Sequence, residues 1–405
     1  MSPEKQYFMK ATFKTYKADD GDCIFLCLQE GDESYVIMVD CGSYEEPIKD
    51  YVEKVLNKKI DILIVTHIDK DHIEGIEEMM TQTPDLKIGK IFFNCYQRTP
   101  DHKIITLAPA QQKRLDSIKS EVSCVIHDAI EHEVSANQAI RGLSMTILTE
   151  PNLKEKWERP YLALDARNEI PLDGWGTVKI LAPTMKEIKA LDEEYRSILF
   201  NELFVEEDNA EFDESESLYE MIIRYANIHS TEISEDEEVA GSDLENRLET
   251  AAEQPVKENQ ITPSNKASLA FVWEKGEKKV LVLGDAKPGI VINGLIKHYP
   301  HGPWPMMFEA VKVSHHGSHY NTTESLQRMI DSEHYFVTGG EEGTRPSEAA
   351  LGRILLPTPK GSVKKRTLHV NYKTSLTEEL EADKKLQEKY HFEIDFDQNQ
   401  YEFTV

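Results

Sequence analysis

His67-Ile68-Asp69-Lys70-Asp71-His72 decides how this chain reads. It follows Ile60-Asp61-Ile62-Leu63-Ile64-Val65-Thr66, a short apolar run that predicts a buried strand ending at the first histidine. Two imidazoles and two carboxylates then share one tight turn. Imidazole nitrogen suits zinc, and carboxylate oxygen suits zinc or manganese. A strand feeding such a turn lets all four side chains converge on one or two cations.

Two later strands end in the same way. Val280-Leu281-Val282-Leu283 reads as a buried strand and runs into Gly284-Asp285. Ala310-Val311-Lys312-Val313 reads as another and runs into Ser314-His315-His316-Gly317-Ser318-His319. Three apolar strands thus carry metal-binding residues at their tips. A rigid sheet presents a site on its loops in this manner.

The order HxDxDH, then GD after a strand, then a strand followed by SHHGS, resembles the metallo-β-lactamase fold. More narrowly, it resembles the hydrolase domain of ComEC-type competence proteins. Asp19-Asp20-Gly21-Asp22 is similar to the family's opening turn, and Met38-Val39-Asp40-Cys41-Gly42 to its strand followed by DxG. Ser264-Asn265-Lys266-Ala267-Ser268-Leu269 is similar to its segment before the GD strand, and Arg345-Pro346-Ser347 to its late Pro-Ser segment. The resemblance implies an α/β chain, a metallo-β-lactamase αββα sandwich of two packed mixed sheets with helices outside. Residues 1–185 are expected to form one half and residues 263–405 the other. Residues 186–262 are expected to be an acidic helical and mobile insertion.

The resemblance also implies two divalent metal ions, zinc or manganese, with Asp285 as the bridge. His67 and Asp69 are expected at the first ion, and Asp71, His72 and His315 at the second. His315 is preferred to His316 here because it falls first after the strand. His316 and His319 are expected to contact substrate or move a proton to the leaving group, or else to pack. Asp71, His316 and Arg345 form the expected catalytic set. Arg345 either holds a phosphate oxygen or makes a surface ion pair. Asp40 and Gly42 are expected to support the ligand turn from behind, Gly42 by allowing a tight turn. The chain departs from the common pattern twice. Asp69 replaces a histidine, and the histidine usual before the GD strand is absent, with Asn265 or Ser268 near its place. Fewer nitrogen donors weaken zinc preference and admit manganese.

Composition bounds the rest. The 405 residues are 40% hydrophobic, enough for a sizeable core. No apolar run approaches the roughly 18 residues of a membrane span, and the first residues lack an apolar signal stretch, so a cytoplasmic protein is expected. Five cysteines lie scattered without CxxC spacing, which predicts buried thiols. The net charge of −27 disfavours tight binding to duplex DNA, because polyanion binders carry basic surfaces. Much of that charge lies in acidic runs such as Glu206-Glu207-Asp208 and Glu235-Asp236-Glu237-Glu238. Residues 206–260 are a candidate surface for a protein partner. The leading expectation is a phosphodiesterase or nuclease acting on single strands. Two alternatives stay open: a hydrolase of a small phosphodiester, and a regulatory module with a vestigial site.

Overall fold

The computed structural model describes residues 8–98, 102–129, 142–205, 210–229, 243–339 and 345–405. Two mixed sheets dominate it. In spatial order the first runs Gln400–Thr404, Lys10–Thr15, Cys23–Glu30, Glu33–Cys41, Lys59–Val65, Lys87–Phe93. The second runs Phe392–Asp395, Arg366–Val370, His334–Val337, Ala310–Lys312, Lys278–Val282, Ala270–Lys275, Thr177–Ala182, Glu169–Pro171. Alternation along each strand divides the core into layers. Ile62 and Ile64 face the second sheet, where they share a core with Phe271, Val280 and Val282. Leu63 and Val65 face outward onto Ile73, Ile76 and Met79 of the helix Lys70–Gln82. On the far side, Leu281 and Val311 meet Val291 and Leu295 of the helix Pro288–His298. The result is helices, sheet, sheet, helices, as the sequence predicts.

The strands that matter for function are parallel. Glu33–Cys41, Lys59–Val65 and Lys87–Phe93 run together in the first sheet. Lys278–Val282, Ala310–Lys312 and His334–Val337 run together in the second. Ligand sites in such sheets gather at the carboxyl ends of the strands. Here those ends bring out Asp40, His67, Asp285 and the histidine pair at 315–316. A backbone bond from Leu269 N–H to the Thr66 carbonyl (2.9 Å) ties the two sheets at this edge.

The expected halves exchange strands. Glu169–Pro171 and Thr177–Ala182 lie before residue 185 yet pair into the second sheet. Gln400–Thr404 returns from the carboxyl end to pair with Lys10–Thr15 in the first. Residues 143–149, rich enough in Thr and Ile to suit a strand, form the helix Leu143–Thr149. Its buried face, with Leu143 and Ile147, packs among other helices, and that packing overrides the β-branched composition.

The reading of 186–262 as an acidic helical and mobile insertion holds for its helices, but these pack into the core. Met185–Glu202 buries Leu191, Tyr195 and Leu199 in the same core as Ile73 and Met79. Leu218, Tyr219 and Ile222 join them. Leu244–Glu253 packs against Glu348–Leu355 in the other half, with Leu248 fully buried. Arg247 bonds Glu348 and Glu379, each at 2.7 Å, and buried Arg353 donates to the carbonyls of Ala252 (3.0 Å) and Gln254 (2.7 Å). Acidic residues cover the outside of these helices, but apolar residues at helical spacing hold the inside. The runs at 206–209 and 235–238 lie outside the described residues. No helix among the described residues is long and apolar enough to cross a membrane.

One consequence of this packing is measurable. Asp192 on the Met185–Glu202 helix sits among Tyr161 and Tyr219, and the Tyr161 hydroxyl donates to its Oδ2 (3.0 Å). Its Oδ1 is buried with no hydrogen-bond partner among the described residues. Burial pushes the carboxyl up to about 7, against the pull of the tyrosine hydrogen bonds. A raised carboxyl favours the folded state at low pH, and that contribution is lost as pH rises from about 4 through about 7. Asp192→Asn is therefore expected to be more stable than wild type at pH 8 by about 4 kcal/mol, and close to it at pH 4. Thermal melts of both proteins at the two pH values check this.

Candidate metal centre

Four histidines at the sheet edge are each pinned at Nδ1 by an acceptor. His72 Nδ1 donates to Asp40 Oδ2 (2.8 Å). His316 Nδ1 donates to the Thr338 carbonyl (2.9 Å), and His315 Nδ1 to Asn321 Oδ1 (2.9 Å). The Thr66 hydroxyl donates to Asp40 Oδ2 (2.6 Å), so its oxygen accepts from His67 Nδ1 (3.0 Å). With Nδ1 protonated, each ring presents a lone pair at Nε2. Metal-ligating histidines are oriented from behind in this way.

Those lone pairs point at carboxylate oxygens. His67 Nε2 lies 3.5 Å from Asp69 Oδ2 and 3.7 Å from Asp285 Oδ2. His72 Nε2 lies 3.4 Å from Asp71 Oδ2 and 3.7 Å from Asp285 Oδ2. His315 Nε2 lies 3.4 Å from Asp285 Oδ2, and His316 Nε2 lies 3.3 Å from Asp71 Oδ2. Such pairs need positive charge between them, a metal ion or a proton on Nε2: against the lowering effect of burial, the facing carboxylates raise His72 well above, and His67 above, the usual imidazole range. Two sets of ligand atoms lie close enough to hold a cation: His67, His72 and Asp285, and Asp71, His72 and His316. His67 Nε2, His72 Nε2 and Asp285 Oδ1 are buried without hydrogen-bond partners among the described residues, and leaving them so is costly. The donor set therefore fits divalent metal.

The local backbone explains why these segments converge. Asp40, His315 and His316 all adopt left-handed φ, at 54°, 49° and 54°. Strain of this kind is tolerated where the surrounding structure fixes it, often at a site. Asp40 accepts from the Thr66 N–H (2.7 Å) as well as from its hydroxyl and His72, so one buried carboxylate sets the whole ligand turn. Gly42 acts by close approach. A Cβ there would stand 2.3 Å from the Asp71 carbonyl oxygen, so only glycine lets that turn settle. This replaces the expected tight-turn role. The Asp285 N–H donates to Ser268 Oγ (3.0 Å), and Asn321 Nδ2 donates to its carbonyl (2.8 Å). Gly284 adopts φ +50° beneath it, and a Cβ there would meet the Leu269 carbonyl at 2.5 Å.

His67, Asp69, Asp71, His72, Asp285 and His315 are thus brought together, and His316 joins them. The geometry differs from the expected partition. His316 sits with Asp71 and His72, while His315 lies against Asp285, with Asn265 Nδ2 3.5 Å from its Nε2. The reason is the reversed backbone at 315–316. It turns the second histidine inward to the Asp71 side, so order after the strand does not set the order in space. Asn265 Oδ1 is buried with no hydrogen-bond partner among the described residues. His319 is buried, with its ring 5.0 Å from Tyr320 and its carbonyl held by Arg353 (2.9 Å), and it is in none of the ligand sets. Arg345 is half-buried in the segment tied to the histidine loop by Ser347, whose N–H and hydroxyl donate to the Gly317 carbonyl (3.0 and 3.1 Å). The Asp69, Asp71 and His315 side chains keep 22%, 34% and 14% exposure, so the centre opens to solvent on their side.

Sequence reasoning missed Lys312 and undervalued Asp22. Lys312 is fully buried and paired with Asp22, and its Nζ lies 3.9 Å from Asp285 Oδ1. Burial alone would depress the ammonium, but the carboxylates of Asp22 and Asp285 outweigh it and hold its pKa above the ordinary value. Asp22 also accepts from the Thr338 hydroxyl and lies 3.5 Å from His316 Nδ1. A signal was present: a lysine inside a strand too apolar to offer a solvated face.

Residues 17–90 match the family model of the Metallo-beta-lactamase superfamily. That stretch carries Asp22, Asp40, His67, Asp69, Asp71 and His72, and the αββα architecture is consistent with the metallo-β-lactamase fold. Among solved structures, the chain is similar to the metallo-beta-lactamase fold protein YhfI from Bacillus subtilis. Identity is 11% over 98% of this chain and 99% of that one, with TM-score 0.34. It is also similar to a diphosphatase from the PhnP family, at 10% identity over 98% of each chain and TM-score 0.34. A mutant of the CmlA beta-hydroxylase aligns at 10% identity over 100% of this chain and 55% of that one, with TM-score 0.33. No curated protein matches the sequence significantly.

Proposed function

We propose that this chain is a hydrolase of phosphodiesters that works with two divalent metal ions, zinc or manganese. The observation that carries it is the facing of pinned imidazole lone pairs and carboxylates described above, with His67 Nε2 and His72 Nε2 buried and unsatisfied. The carboxylates of Asp22, Asp40, Asp69, Asp71 and Asp285 outnumber the single Lys312 ammonium at this edge, which favours bound cations. On this reading His67, Asp69, His315 and the Asp285 carboxylate hold one ion, and Asp71, His72, His316 and the same carboxylate hold the other. Bound there, the ions would make a water nucleophilic at neutral pH and offset charge on the phosphoryl oxygens.

The chain's own residues position the reaction. Asp40 and Thr66 keep His67 and His72 in the tautomers that leave Nε2 open. Arg345, carried on the segment that Ser347 ties to the histidine loop, is assigned to a phosphate oxygen. Proton transfer to the leaving group falls to a group on the open side, where Asp69, Asp71 and His315 meet solvent. The closer likeness to ComEC-type domains rests on motif order and favours nucleic acid single strands. The net charge of −27 favours a small phosphodiester instead. The test is direct. Metal-free protein reloaded with manganese or zinc is expected to take up two equivalents and to turn over bis(p-nitrophenyl) phosphate. Single-stranded DNA and cyclic nucleotides assayed beside it identify the substrate class. Failure to take up either ion would end the proposal.

A further inference from the structure

We infer that Lys312, braced by Asp22, is a positioning residue that confines the Asp285 bridge to a single oxygen. The inference rests on the two-ion reading and says how the bridge is built. Asp285 has two distinct faces. Oδ2 lies within 3.7 Å of His67 Nε2 and His72 Nε2 and 3.4 Å from His315 Nε2. Oδ1 points away from those rings, toward Lys312 Nζ at 3.9 Å. The backbone on both sides of the carboxyl is fixed by Ser268 and Asn321.

The ammonium is costly where it stands. Lys312 has no exposure, and taking an ammonium out of water is costly even after relaxation. Its neighbours Val311 and Val313 are apolar, and a residue of similar length without charge would fill the strand position. The charge is retained against that cost by Asp22, while the Gly284 carbonyl lies 3.4 Å away. Asp22 in turn is locked. Its N–H donates to the Asp71 carbonyl (3.2 Å), its carbonyl accepts from Gly42 N–H (2.9 Å), and its carboxylate takes the Thr338 hydroxyl. The pair therefore runs from the ligand turn of one sheet to the bridge of the other. With Oδ1 facing the ammonium, Oδ2 would be the oxygen left for the two ions to share.

Wild type, Lys312→Met, Lys312→Arg and the double variant Asp22→Asn/Lys312→Met test this. The double variant removes both charges, so it folds even where Lys312→Met alone strands the Asp22 carboxylate. The readouts are manganese binding by calorimetry and the spin coupling between the two ions by electron paramagnetic resonance. Wild type is expected to bind two coupled ions. The double variant is expected to bind its second ion at least about tenfold more weakly, with coupling lost, and Lys312→Arg is expected to restore part of both. Equal affinities and unchanged coupling in wild type and the double variant would overturn the inference alone. Wild type that binds no divalent ion would overturn the two-ion reading, and this inference with it.

Discussion

Asp285→Ala is expected to abolish turnover of bis(p-nitrophenyl) phosphate and to reduce metal uptake from two equivalents to one at most. Its Oδ2 lies within 3.7 Å of three separate imidazole nitrogens, so its loss removes a shared ligand. Removal of one preorganised group that stabilises developing charge costs about 10²–10³ in rate, and loss of a bridge should exceed that. The fold should survive. The backbone bonds from Asp285 N–H to Ser268 and from Asn321 to its carbonyl do not depend on the carboxylate. In metal-free protein, against the cost of burial, the imidazoles of His315, His72 and His67 hold the Asp285 carboxyl well below the usual range. Metal-free Asp285→Ala is therefore expected to melt below metal-free wild type. Elemental analysis and thermal melts measure both effects, and turnover at the wild-type rate would remove Asp285 from the bridge.

The edge of the sandwich was legible because each ligand segment follows a strand whose apolar run is unmistakable. Lys59–Val65, Lys278–Val282 and Ala310–Lys312 are central, parallel strands buried on both faces, and such strands read as continuous hydrophobic runs. Their tips carry His67, Asp285 and the 315–316 pair. What lay beyond reach was set by backbone reversal and by distance in sequence. Nothing in the linear order reveals that left-handed φ at both histidines turns His316 toward Asp71, across 245 residues. Asn321 and Thr338, which fix two imidazoles, carry no motif at all. The acidic helices misled for another reason. Charge density dominated the composition of 186–262, while Leu191, Tyr195, Leu199 and Leu248 recur sparsely but on single faces, and those faces are buried. Lys312 was hidden because strand patterning treats one charged residue as noise. In a strand with no solvated face, that residue must instead have a partner.

Pairing of ligand losses is expected to show which histidine serves which ion. His316 Nε2 faces Asp71 Oδ2 at 3.3 Å, and its ring lies 5.6 Å from that of His72, whereas His315 Nε2 faces Asp285 Oδ2 beside Asn265. Each single variant, His315→Ala or His316→Ala, should lose one equivalent of metal, with affinity at that site down by at least about 10–100-fold. The single variants therefore do not separate the assignments. The double variants do. His67 and His315 belong to one ion on the proposed partition, so His67→Ala/His315→Ala should still bind one equivalent. His67 and His316 belong to different ions, so His67→Ala/His316→Ala should bind none. Residues that act at one site are strongly non-additive, and residues at separate sites approach additivity. Metal counting on the two double variants is thus a thermodynamic cycle with opposite outcomes for the two assignments. One retained equivalent in His67→Ala/His316→Ala, with none in His67→Ala/His315→Ala, would return His315 to the ion held by Asp71 and His72.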